Sequence, residues 1–67
     1  MTTFELRDHL LALSVERSTA ALVGLGDNEA YMHDLHEEIE AARHAYIGAA
    51  VTEIASLRAQ LGAPQVG

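Results

Sequence analysis

The sequence contains no cysteine and no lysine, so its four basic residues are all arginines, against ten acidic residues. Without cysteine the chain can form no disulfide and no thiolate zinc site, and this absence fits a reducing compartment. The formal charge of -6 leaves no basic stripe, and an acidic surface repels a phosphate backbone. We therefore expect no direct binding to nucleic acid.

Long apolar runs are also missing. Arg7 and Asp8 interrupt the first apolar stretch and no cationic segment precedes it, which predicts that the N-terminus is not a signal peptide. The second apolar stretch, residues 46–61, is interrupted by Glu53 and Arg58. It is shorter than the roughly 20 apolar residues that a bilayer requires. The sequence predicts a soluble, intracellular protein with no membrane partner.

Motifs for catalysis are lacking as well. Ser14, Ser18 and Ser56 all fall within predicted helices, and none has a glycine elbow or an oxyanion loop beside it. The Gly24–Gly26 segment does not follow a strand, as a phosphate-binding loop would. The sequence predicts that the chain is not an enzyme.

Helical periodicity dominates what is present. Thr2 and Glu5 fit a capping box, and the only strong break is GLGDN, where a glycine can end one helix and Asp27 or Asn28 can begin the next. So short a link favours an antiparallel hairpin. The prediction is one all-α domain over residues 1–67, with a helix over about 2–23, a turn at 24–28, a helix over about 29–61 and a tail at 62–67.

Helix 1 carries two predicted apolar ridges. The first comprises Leu6, Leu10 and Leu13, and the second comprises Phe4, Leu11, Val15, Leu22 and Leu25. We expect the second ridge to lie beside the first, so that together they span about half the helix circumference. Helix 1 should then contact more than one neighbouring helix.

Helix 2 repeats its apolar residues every eleven positions, a spacing typical of nearly straight helices. One series is Leu35, Tyr46 and Leu57, and the other is Ile39, Ala50 and Leu61. At a rise of about 1.5 Å per residue, the start of helix 1 lies level with about Val51 of helix 2. The residues of helix 2 after Val51 then extend past helix 1.

The side chains beyond that point need cover from another molecule, because burying each contributes about 1.5 to 3 kcal/mol. The sequence predicts a homo-oligomer, in its simplest form a dimer that completes a four-helix bundle. The predicted interface residues are Val51, Ile54, Leu57, Leu61, Leu11, Val15 and Leu22.

Two charged residues fall on or near apolar faces. Arg17 lies on the first ridge of helix 1, and Glu53 lies in the apolar arc of helix 2. One interpretation is that both reach the rim with their charged ends in water. The other is that they are paired, Arg17 with Glu40 in the hairpin or Glu53 with an arginine of another subunit, and so fix the register of assembly.

The HDLHEEIEAARH segment supports an alternative. His33, Glu37, Glu40 and His44 share one face of helix 2, with His36 at its edge, and such side chains are ligands for zinc, iron or manganese. The Glu-x-x-His pair of ferritin-like bundles is absent, since Ala41 precedes His44 by three residues. The favoured interpretation is a solvated face with histidine–carboxylate pairs. A metal-binding helical bundle is the alternative.

The segments AYIGAAVTEIASLRAQL and GAPQVG, in a chain rich in alanine and free of lysine, resemble small orphan proteins of actinobacteria and actinobacteriophages. This resemblance implies an accessory role, as a virion component or as a binder of a host protein, in the bacterial cytoplasm or the virion. The predicted function is a non-catalytic, homo-oligomeric interaction or assembly protein without a cofactor. A small-ligand sponge, with a pocket between subunits, is a further alternative.

Overall fold

The computed structural model describes residues 1–62 and shows two α-helices that run antiparallel. Helix α1 spans Thr3–Leu22 and helix α2 spans Glu29–Gly62, with a short 3-10 turn at Leu25–Asp27 between them. The prediction of an all-α hairpin is confirmed. Helix α2 continues one residue past the predicted end at Leu61, and the predicted tail after Gly62 lies outside the described residues.

The predicted capping box begins α1. The Glu5 amide donates to the Thr2 hydroxyl at 3.1 Å, and the Thr2 amide donates to Glu5 Oε1 at 3.2 Å. These bonds satisfy two amides that the first turn of a helix leaves without partners. They also lower the pKa of Glu5, because the backbone and hydroxyl of Thr2 stabilise the charged carboxylate.

The turn depends on one glycine and one asparagine. Gly24 has a φ of 87°, in the left-handed region that glycine adopts without strain. Asn28 then starts α2, because its Oδ1 accepts a hydrogen bond from the Tyr31 amide at 3.1 Å. The chain therefore reverses direction within the six residues between the two helices, which brings α2 back along α1.

The core of the hairpin is small. Leu13 of α1 packs with Leu35, Ile39 and Ala42 of α2, and Leu10 and Tyr31 lie against this cluster. Within residues 1–62 the other buried side chain is Ala20, near the turn. Three large side chains make a limited core for a chain of this size, since small domains rarely gain enough stability from burial alone.

The expected position of the second ridge of α1 is wrong. A helix turns by about 100° per residue, which puts Phe4, Leu11, Val15 and Leu22 within about 20° of the line opposite Leu13. The structure agrees, because Leu13 is buried whereas those four side chains are exposed. Helix α1 thus has two apolar faces on opposite sides, and only the Leu6, Leu10 and Leu13 side faces α2.

Candidate interaction surfaces

The apolar face of α2 changes from buried to exposed along its length. In one eleven-residue series Leu35 is 3% exposed, Tyr46 is half-buried and Leu57 is 54% exposed. The second series, Ile39, Ala50 and Leu61, follows the same course from buried to exposed. Residues eleven apart share a face of the helix. This face of α2 therefore stays apolar along its whole length, although α1 packs against only its first part.

The loss of cover occurs where α1 begins. The Thr3 hydroxyl donates a hydrogen bond to the Glu53 carboxylate, so the N-terminus of α1 lies level with Glu53. Every residue of 51–62 is exposed, and we call this segment, most of which lies beyond Glu53, the overhang. It carries four of the predicted interface residues, Val51, Ile54, Leu57 and Leu61. Ile47, 48% exposed, lies one turn before Val51 and extends the apolar surface, although the sequence analysis did not single it out.

A second exposed apolar surface lies on α1. Phe4, Leu11, Val15 and Leu22 follow one another along the helix and form what we call the outer seam. Phe4 is 70% exposed and Leu22 is 86% exposed. Three of the four belong to the predicted interface set, and Phe4 was placed on their ridge.

Within residues 1–62, no helix is long and apolar enough to cross a membrane.

A groove lies between the start of α1 and α2. It has a volume of about 120 Å³ and is lined by Thr3, Phe4, Arg7, Tyr46 and Glu53. The guanidinium of Arg7 sits 5.3 Å from the centre of the Phe4 ring, within the range of a cation–π contact. Pockets for small ligands usually measure about 300 to 1,000 Å³. The groove is thus too small for most ligands, and the small-ligand alternative, which places its pocket between subunits, stays a prediction.

The two charges on the apolar faces have different surroundings. Arg17 is exposed, and within residues 1–62 it makes no ion pair. Glu40 instead pairs with Arg43 at 3.3 Å. The Arg17–Glu40 pair that the sequence suggested does not form in the single chain. Glu53 is exposed and accepts the bond from Thr3. Pairing of either residue across subunits stays a prediction.

The His33–His44 face is solvated and divides into two pairs. His33 Nε2 lies 3.0 Å from Glu37 Oε1, and His44 Nε2 lies 4.0 Å from Glu40 Oε2. His33, His36, Glu37 and His44 are exposed, and Glu40 is half-buried. Over residues 1–62, no three histidine or carboxylate side chains converge into a group that could hold a metal ion. The single chain thus offers two separate pairs where the metal hypothesis needs one cluster.

Tyr31 forms a cross-helix contact that sequence reasoning missed. Its hydroxyl donates to Glu16 Oε2 at 2.6 Å, which connects α2 to α1 near the turn. This hydrogen bond, followed by partial burial and the charge of Glu16, raises the pKa of Tyr31 above its ordinary value. In the sequence the available signal was a tyrosine in the first turn of the predicted second helix. Its partner could not be predicted, because it depends on how the two helices are rotated against each other.

The Tyr31 contact predicts a loss of stability at high pH. Because the folded pKa of Tyr31 is raised, the contact stabilises the fold fully below the unfolded pKa of about 10. It is lost as the pH rises through the folded pKa. We expect the urea midpoint of the wild type to fall between pH 8 and pH 11 by more than that of Tyr31→Phe. Tyr46→Phe, which leaves this bond intact, is the control and should behave like the wild type. Equal falls for the wild type and Tyr31→Phe would contradict the prediction.

Comparison of the chain with family models, curated proteins and solved structures gave no match. The resemblance to small proteins of actinobacteria and their phages therefore stays a prediction. The structure consists of a helical hairpin with a small core and two exposed apolar surfaces, the overhang and the outer seam. These surfaces are suited to contacts with other helices.

Proposed function

We propose that this chain is a non-catalytic assembly protein that forms homo-oligomers through the overhang. The observation that carries the proposal is the course of the eleven-residue series on α2, from Leu35 at 3% exposure to Leu57 at 54%. A solvated helix end is normally polar on all sides. The apolar face of α2 continues past the end of α1, which favours contact with another molecule.

The size of the exposed surface supports contact with a further molecule. The chain exposes 5160 Å², whereas a compact monomer of this length exposes about 4,100 Å². The excess of about 1,000 Å² compares with the roughly 800 Å² per partner that a standard interface buries. Its radius of gyration is 17.5 Å, against about 11 Å for a compact chain of 67 residues. Contact through the same surface of a second copy is the commonest arrangement in homo-oligomers.

The wider role that we propose is that of a phage or actinobacterial accessory protein, either a virion component or a binder of a host protein. The resemblance of residues 45–61 and 62–67 to such small proteins supports this role, and so does the acidic surface, with a formal charge of -6. A negative surface favours basic protein partners over nucleic acid.

The native mass tests the proposal. We expect purified protein at micromolar concentration to have at least twice the mass of one chain in light scattering. We also expect its helicity to fall on dilution, because so small a core depends on assembly. A concentration-independent, fully helical single chain would contradict the proposal. A pull-down from host lysate on the same sample then addresses the accessory role separately.

A further inference from the structure

The outer seam of α1 has a symmetric spacing. Phe4 and Leu22 lie nine residues on either side of position 13, and Leu11 and Val15 lie two residues on either side of it. The intervals of seven, four and seven residues are those of a coiled-coil seam. A seam that reads the same in both directions can pack on a copy of itself that runs antiparallel. Phe4 then lies level with Leu22 of the second copy, and Leu11 with Val15.

The polar residues of the seam distinguish the two directions. Asp8 and Ser18 fill the remaining positions of the same repeat, each five residues from position 13. In a parallel pair the two Asp8 carboxylates would lie side by side in the seam, and like charges there are destabilising. In an antiparallel pair Asp8 lies level with the Ser18 hydroxyl of the second copy, which can donate a hydrogen bond to it. The two carboxylates are then about 15 Å apart.

The positions that flank the seam allow a close approach. Four of the six border positions carry small, uncharged and exposed or half-buried side chains, namely Ala12, Ser14, Thr19 and Ala21. Glu5 is a charged border residue, and in an antiparallel pair it lies level with Ala21 of the second copy. The Arg7 side chain on the border is level with small residues of an antiparallel copy, and two Arg7 side chains would be about 18 Å apart. Antiparallel contact therefore places no like charges together along the seam.

From these observations we infer that the outer seam is a second interface, in which α1 packs antiparallel on α1 of another copy about a two-fold axis near position 13. The inference rests on the proposed function in taking a second copy as the occupant. It adds a surface separate from the overhang, its orientation and its register. Helix α1 then lies between two helices, its own α2 on one side and the second α1 on the other.

Disulfide cross-linking tests this register, since the chain has no native cysteine to compete. Phe4→Cys and Leu22→Cys each replace an exposed side chain outside the hairpin core. The two variants are unfolded, mixed, refolded together and oxidised, and disulfide-linked dimers are counted by mass. A disulfide needs Cα atoms within about 7 Å. Two copies of Cys at position 4 would be about 27 Å apart in the antiparallel pair.

We expect linked dimers that contain one chain of each variant, and no linked dimers from either variant alone beyond random collision. His9→Cys, exposed and outside the seam, is mixed with Phe4→Cys to measure random collision. Linked dimers from Phe4→Cys alone would overturn the antiparallel orientation, and no linkage above the control would overturn the interface. If the wild type is oligomeric in light scattering while no linkage occurs, only this inference fails. A monomeric wild type removes the proposed function as well.

Discussion

Replacing Leu57 with aspartate is expected to reduce the native mass of the proposed oligomer at micromolar concentration. Burial of a leucine side chain contributes about 1.5 to 3 kcal/mol, and a two-fold interface contains the residue twice. Leu57 is 54% exposed in the single chain, so about half of this contribution is available in each copy. The combined loss of about 1.5 to 3 kcal/mol corresponds to a roughly 10-fold to 100-fold weaker association. The buried carboxylate would add to this loss.

Ser56→Asp is the matched control. Ser56 is the exposed neighbour of Leu57, lies off the apolar stripe, and takes up the same added charge. It should keep the wild-type mass in light scattering at equal concentration. If Leu57→Asp also kept that mass, the overhang would not be an interface, and the proposed function would fail with it.

The effect of Leu57→Asp on the fold is indirect. In the sequence, Leu57 continues the stripe that begins at Leu35, which suggests that its loss would also damage the fold. In the structure Leu57 is 54% exposed and does not contact the Leu13 cluster. Any fall in helicity should therefore follow the dissociation and depend on protein concentration, as expected where folding and assembly are coupled. Circular dichroism of the variant over a tenfold range of concentration measures this dependence.

The sequence was sufficient for the hairpin and for the exposed end of α2. Local signals specify the helix boundaries, because Thr2, Gly24 and Asn28 act on backbone groups within a few residues. The overhang needed only the two helix lengths and the rise per residue. The register of the hairpin agrees, since Thr3 meets Glu53 close to the predicted end of α1 near Val51.

Contacts that depend on the rotation of one helix against the other could not be predicted. The Tyr31–Glu16 bond, the Thr3–Glu53 bond and the failure of Arg17 to reach Glu40 belong to this class. Long side chains can meet several neighbours at the same level, and small changes in rotation decide between them. The error over the second ridge of α1 is different, because the helical repeat alone places Leu11 opposite Leu13.

The two opposite faces of α1 affect the architecture that the proposed oligomer can adopt. In a closed four-helix bundle all apolar faces point to one common core. Helix α1 instead has Leu13 facing α2 and Leu11 facing away from it, which favours a layered arrangement of α2, α1, the second α1 and the second α2. With helix axes about 9 Å apart, the second α1 would lie about 18 Å from α2, too far to cover Leu57. If the overhang and the outer seam are both interfaces, as proposed, they contact different copies, and two such surfaces would build a closed tetramer or an open chain.

A matched pair of leucine variants separates the two faces of α1. Leu13 is 5% exposed and lies in the hairpin core, whereas Leu11 is 57% exposed on the outer seam. Leu13→Ala is expected to lower the free energy of unfolding by about 2 to 5 kcal/mol, the usual cost of such a core truncation. With so few large side chains in the core, that loss is a large part of the roughly 5 to 15 kcal/mol of a typical domain.

Leu11→Ala removes the same atoms from the same helix, but from a surface that the single chain leaves exposed and that we propose another copy covers. We expect it to leave the isolated hairpin unchanged and to weaken the dependence of the urea midpoint on protein concentration. Leu13→Ala should instead lower the midpoint at every concentration, because its packing partners Leu35 and Ile39 belong to the same chain. Urea titrations followed by circular dichroism at two concentrations tenfold apart provide the comparison. Equal and concentration-independent losses for the two variants would mean that α1 does not contact another molecule through Leu11.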